Sequence, residues 1–162
     1  MSQSHARMEQ AKFRQVAPPV GAALQALSQA AVEAGLEKEL LELIKLRASQ
    51  MNGCAFCVQY HLNEARRLGI PGEKLDLVIV WREAGVFSER EAAAFAWTET
   101  LTDLMAKGVP DEAYANATKH FSEKELAYLT AAVGTINVWN RIAVAYRYTP
   151  PVPRQAKTAS AA

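Results

Sequence analysis

Cysteine is scarce in this 162-residue chain: there are two, Cys54 and Cys57. That excludes a disulfide-stapled scaffold, because a bridge closing so short a loop removes little entropy from the unfolded chain. Net charge is also missing. Lys and Arg number 18 against 17 Asp and Glu, for a formal charge of +1, so no global field gathers nucleic acid or an anionic membrane surface. No run approaches the roughly 18 consecutive apolar residues that span a bilayer, and the first residues hold no apolar stretch of the signal-peptide kind. These absences predict a cytoplasmic protein with neither nucleic acid nor membrane as partner. Sustained period-2 alternation between hairpin turns is absent too, which leaves strands without support.

What is present reads as helix. Half the residues are hydrophobic and 22% are charged, an ordinary globular profile for one domain that buries roughly two-thirds of its unfolded surface. Residues 1–19, ending at Pro18-Pro19, read as a flexible arm; 20–148 as one all-α domain, a helical bundle; and 149–162, with three prolines, as a flexible tail. Within the domain, helices are expected over Val20–Ala34, Glu37–Met51 and Cys54–Leu68. Gly35, Asn52-Gly53 and Gly69 stop them in turn. A shorter helix is expected over Gly72–Arg82, and a long one from Ser88 to Lys107. Asp111–Lys119 and Ser122–Arg147 complete the set. Ser88 with Glu91, and Ser122 with Glu125, have the spacing of capping boxes.

The chemistry concentrates in Cys54-Ala55-Phe56-Cys57-Val58-Gln59-Tyr60-His61. On a helix, Cys54 and Cys57 are i,i+3 neighbours, and Cys57 and His61 are i,i+4 neighbours, so all three share a face. Only a thiolate attacks a peroxide or a disulfide. The free N–H groups of a helix start favour negative charge on Cys54, whereas the imidazole one turn on favours proton removal from Cys57. The two arguments point to different sulfurs and balance. A zinc site would find three ligands here but needs four, and His5 and His120 stand apart, so no metal is expected. Covalent haem attachment needs His directly after the second Cys, where Val58 stands. A thioredoxin-type site would need a sheet.

The stretch from Glu42 through Arg47 and Gly53 to Cys54-Ala-Phe-Cys57-Val-Gln-Tyr-His61 closely resembles the AhpD-like alkylhydroperoxidases of the carboxymuconolactone decarboxylase superfamily. Trp81-Arg82-Glu83, Phe87-Ser88-Glu-Arg-Glu-Ala and Trp139-Asn140-Arg141 extend the resemblance over most of residues 20–147. It implies an AhpD-like all-α fold, assembly as trimers or hexamers, and thiol-dependent peroxidase or disulfide oxidoreductase activity. By position, it implies that Cys57 attacks the peroxide and Cys54 resolves, with His61 and Glu42 as the proton relay. No bound cofactor is implied; an external dithiol, such as a lipoylated carrier protein, would supply electrons. The superfamily also contains lactone decarboxylases, whose chemistry has no use for a vicinal dithiol. A redox sensor whose disulfide switches binding is a further alternative.

Two residues of the same segment conflict with a simple helical wheel. Glu42 falls opposite Leu40, Ile44 and Met51, near Lys38 and Lys45, where ion pairs in solvent are the plain expectation; only the resemblance makes it catalytic, and a subunit interface over that face would reconcile the two. Arg47 falls among the apolar positions, where an unpaired charge is costly, so an ion pair with Glu83 or Glu99 is expected. Phe56 occupies a position where some relatives carry a histidine. Tyr60, Trp81, Trp97 and Trp139 read as core or interface aromatics, with Tyr60 of interest beside His61. Asn137, Asn140 and Arg141 read as packing or assembly residues near the site.

Overall fold

The computed structural model describes residues 5–153. Among them the chain is helical throughout and has no strand. Helices α1 (Gln10–Val16) and α2 (Pro18–Glu33) precede a hairpin of α3 (Lys38–Met51) and α4 (Ala55–Arg67). The short α5 (Gly72–Asp76) and α6 (Trp81–Ala84) lead to α7 (Glu89–Thr102). Then come α8 (Leu104–Lys107), α9 (Asp111–His120) and α10 (Glu123–Tyr146). No helix among the described residues is long and apolar enough to cross a membrane.

Both capping boxes form. Ser88 Oγ accepts the Glu91 N–H at 3.2 Å while the Glu91 carboxylate accepts the Ser88 N–H at 2.9 Å. Ser122 and Glu125 repeat the exchange at 3.3 and 2.8 Å. Each box satisfies two backbone donors that would otherwise be orphaned at a helix start.

Elsewhere the expected boundaries shift, for identifiable reasons. Pro18 and Pro19 open α2 instead of ending an arm, because proline fits the first helical turn, where its missing N–H has no partner to lose. The helix expected over Gly72–Arg82 is broken by a 3-10 turn at Val78–Val80. The β-branched run Val78-Ile79-Val80 crowds an α-helical turn, and tightening the chain there seats Val78, fully buried, beside Leu75 and Phe95. The long helix from Ser88 stops at Thr102, since Asp103 adopts φ −109°, ψ 43°.

The arm expected over residues 1–19 is corrected from Gln10 onward. Phe13, 8% exposed, wedges among Trp139, Tyr146 and Tyr148 with ring centroids 6.4, 5.9 and 6.5 Å away. That single aromatic anchors α1 to the end of α10. The start of the expected tail is fixed as well: Thr149 Oγ1 meets Glu9 Oε1 at 2.6 Å, and Asn63 Nδ2 donates to the Pro151 carbonyl at 2.9 Å. Residues 1–4 and 154–162, the remainder of the arm and tail expectations, lie outside the described residues.

Helix α3 is the axis of the bundle and packs against α4, α7 and α10. Leu40, Leu41 and Ile44 join a core with Ala94, Trp97, Leu129 and Val133. Leu43 and Leu46 face a second core around Ala65, Leu75 and Phe95. A helix buried on two sides carries apolar residues almost all round, and that placement brings α4 over the face that holds Glu42.

Candidate active site

The turn from α3 into α4 builds the site. Asn52 ends α3, Gly53 takes φ +62°, a left-handed conformation that suits glycine, and Cys54 is the extended N-cap of α4. Cys54 N–H donates to the Ser49 carbonyl at 3.0 Å, and Cys54 Sγ accepts the Cys57 N–H at 3.2 Å. The first sulfur thus does the work of a capping side chain. Cys54 and Cys57 are joined as a disulfide, with Cα atoms 5.3 Å apart.

A buried amide network locks this turn to α10. Asn52 Nδ2 donates to Asn137 Oδ1 at 3.0 Å and Asn140 Oδ1 at 2.9 Å, and Asn140 Nδ2 donates to Ser49 Oγ at 3.0 Å. Arg141 Nη1 donates to the Asn137 carbonyl at 2.9 Å. Asn140 is 1% exposed; its polar atoms are affordable there only because each is paired.

One turn along α4, His61 is 8% exposed and meets Glu42 of α3, Nδ1 to Oε2, at 2.7 Å. The other carboxylate oxygen of Glu42 accepts from Lys45 Nζ at 2.8 Å. Burial pushes the Glu42 carboxyl up, but the hydrogen bond and charge of His61, with Lys45 behind them, outweigh it and hold the group at about 2. The solvated face read from the wheel is therefore overturned. Glu42 is covered by α4 of its own chain, and no subunit interface is needed to bury it. With Nδ1 engaged, His61 Nε2 has no protein hydrogen-bond partner among the described residues.

A cavity of about 340 Å³ opens over this cluster and is lined by Cys57, His61, Glu42, Phe56, Trp139 and Tyr148, among others. Cys57 faces it, while Cys54 is 1% exposed and does not line it. Tyr60 also borders the cavity, stacked on Phe56 at 6.1 Å and edge-on to His61 at 5.2 Å. All four sequence-predicted site residues are thus brought together, three at the cavity and Cys54 behind it.

Sequence reading missed the contributions of Gln10 and Arg14, on the helix taken for an arm, and of Tyr148 at the domain's last residue. Phe13 was the one available signal, an aromatic in an otherwise polar segment. Arg47 lies outside the cavity lining, and of its two candidate partners it takes Glu99, Nε to Oε1 at 2.7 Å. Glu99 also accepts from Trp81 Nε1 at 2.8 Å and Arg82 Nη2 at 2.6 Å. Burial raises the Glu99 carboxyl, and these three donors more than reverse that.

Comparison with known proteins places the chain in a family. The carboxymuconolactone decarboxylase family model matches residues 18–100. The uncharacterized Bacillus subtilis (strain 168) protein YdfG is 32% identical over 137 residues, which are 85% of this chain and 93% of YdfG. The crystal structure of ATU0492 from Agrobacterium tumefaciens, a protein of unknown function placed with the antioxidant defence protein AhpD, superposes with a TM-score of 0.85. It is 40% identical, and the match covers 92% of this chain and 100% of that one. An uncharacterized peroxidase-related protein with an AhpD core, from Ralstonia eutropha JMP134, shares the fold at a TM-score of 0.75 and 21% identity, over 88% of this chain and 80% of its own. The chain belongs to the carboxymuconolactone decarboxylase family and to its AhpD-like group.

Proposed function

We propose that this protein is a dithiol peroxidase in which Cys57 attacks the substrate, Cys54 resolves the product, and His61 with Glu42 moves the proton. The observation that carries this reading is the asymmetry of the two sulfurs. Cys57 borders the cavity together with His61 and Glu42, while Cys54 sits behind it at the helix cap.

The cycle begins with the reduced dithiol. His61 Nε2 takes the Cys57 proton, and the Glu42 carboxylate at Nδ1 fixes the ring and stabilises the imidazolium. Cys57 thiolate attacks one oxygen of the peroxide and the O–O bond breaks. The leaving alkoxide takes the proton back from His61 and departs as an alcohol, and Cys57 becomes a sulfenic acid. Cys54 then attacks that sulfur, water leaves, and the disulfide forms. An external dithiol reduces it by exchange through a mixed disulfide, itself becoming oxidised. The likeness to AhpD-like proteins supports this reaction class, and supports a lipoyl-type or other small dithiol donor and a homo-oligomeric assembly. Lactone decarboxylation would leave the paired sulfurs without a task.

The test is single-turnover oxidation of the reduced protein by cumene hydroperoxide, with sulfenic acid trapping. Cys54→Ser is expected to accumulate a trappable sulfenic acid on Cys57, and Cys57→Ser to form none. Trapping on Cys54 in the Cys57→Ser variant, at an undiminished rate, would refute the assignment. Stoichiometric oxidation without turnover across a panel of dithiol donors would instead favour a redox switch.

A further inference from the structure

Two polar side chains border the same cavity and have no task in that cycle: Arg14 on α1 and Tyr148 just beyond α10. Tyr148 is 4% exposed, and its ring stands edge-on to Phe56 at 5.3 Å. Its hydroxyl is buried without a hydrogen-bond partner among the described residues. Such orphaned groups are rare in folded proteins, because the lost hydration is not replaced. Burial, and to a lesser degree the neighbouring Tyr146, push the phenol up to about 12, so it remains a proton donor at neutral pH.

Arg14 is exposed and makes no ion pair among the described residues. It lies close enough to Tyr148 and Tyr60 for its charge to act on both phenols. The acidic groups bordering the cavity are already neutralised: Glu42 by His61 and Lys45, and Glu64 by Arg67. Among the described residues, Arg14 therefore borders the cavity as a cation with no counter-charge, and the Tyr148 hydroxyl, buried in the cavity wall, is a donor with no acceptor. Beside them lies an apolar wall that includes Phe56, Ile136 and Trp139.

We propose that Arg14 and Tyr148 bind the carboxylate of a small organic acid whose apolar body lies along Phe56, Ile136 and Trp139, so that the substrates reduced at Cys57 are carboxylate-bearing hydroperoxides. The guanidinium offers paired N–H donors that match a carboxylate, and the phenol adds a third from the side. The statement about substrates rests on the dithiol cycle above; the statement about binding does not.

The experiment separates the two. Octanoate and its uncharged analogue octanamide are titrated into the oxidised full-length protein, with tryptophan fluorescence and calorimetry as readouts. Octanoate is expected to bind saturably and about tenfold or more tighter than octanamide, the value of a charge-assisted hydrogen bond. Arg14→Gln removes that preference. Tyr148→Phe weakens octanoate several-fold without lowering the thermal midpoint, because the deleted hydroxyl had no protein partner. Absence of saturable octanoate binding, equal binding of both compounds, or a preference that survives Arg14→Gln overturns the site. In a second arm the reduced protein meets a fatty-acid hydroperoxide and its methyl ester, and the acid is expected to oxidise Cys57 faster in the wild type but not in Arg14→Gln. Equal rates with acid and ester leave the peroxidase cycle standing and refute the carboxylate preference. Oxidation by neither, with octanoate still preferred, refutes the cycle and with it the substrate assignment, while the carboxylate site stands.

Discussion

Replacing Glu42 by Gln tests the electrostatic centre of the site directly. In the folded protein the carboxyl is lowered from 4.5 to about 2 by the charge and hydrogen bonds of His61 and Lys45, which overcome the cost of burying it. Each unit is worth about 1.4 kcal/mol, so ionised Glu42 contributes on the order of 3 kcal/mol to folding. The folded value lies below the unfolded one. This stabilisation is therefore complete above the unfolded value near 4.5 and disappears as the pH falls through about 2. Glutamine has no proton to gain over that range. Urea denaturation of wild type and Glu42→Gln, at fixed protein concentration, at about pH 5.5 and about pH 3, isolates the effect, since every other carboxylate is common to both proteins. The stability gap is expected to narrow by about 2 kcal/mol at the lower pH. A gap that stays constant between the two pH values would refute the charged pair and leave the proton relay without its anchor.

The remaining predictions concern the scaffold. Asn140→Leu removes the partner of Asn52 and Ser49 at a site 1% exposed and is expected to cost about 1–3 kcal/mol by urea denaturation, with a loss under about 0.5 kcal/mol refuting the network. Glu99→Leu strands Arg47, Arg82 and the Trp81 indole and is expected to cost about 2–4 kcal/mol, reduced from a fully buried pair because Arg82 is solvent-exposed. Adding Arg47→Met should recover part of that loss; strictly additive losses would show that the two side chains are not coupled.

Much of this arrangement was legible in the residues, and the failures share a cause. Helix ends signalled by glycine, asparagine-glycine or a serine–glutamate pair fell where local chemistry placed them, because a cap is satisfied within four residues. The dithiol and His61 were legible for the same reason, all lying within two turns of one helix. Glu42 and Arg47 were ambiguous because a wheel reports which side of a helix is apolar, not how many neighbours surround it. With α4 on one side of α3 and α7 and α10 on the others, an acidic residue and a basic one are both covered, each beside a partner distant in sequence. The partners of Phe13 and Tyr148 were illegible in a stronger sense. These two residues lie at opposite ends of the chain, and Phe13 packs on Trp139, Tyr146 and Tyr148 while Tyr148 packs in turn on Phe56, contacts that no local pattern encodes.

The placement of the two sulfurs bears on the balance between the helix-start argument and the imidazole argument. A helix start stabilises an anion, and so does a neighbouring base that has accepted its proton. The fold gives one device to each sulfur: Cys54 Sγ receives the N–H of Cys57 at the cap of α4, and Cys57 shares the cavity with the His61–Glu42 pair. In the proposed cycle the two devices act at different times. The imidazole serves the oxidative half, when Cys57 must lose a proton before it meets the peroxide. The helix cap serves the reductive half: Cys57 is the sulfur that borders the cavity, so in this cycle the incoming thiolate bonds to Cys57 and expels Cys54. The expelled thiolate is the one whose charge the backbone N–H already faces, and a better-stabilised leaving group departs faster. A single sulfur with both devices would be a strong nucleophile and a poor partner to itself; dividing them lets each half-reaction proceed from its own end of the disulfide.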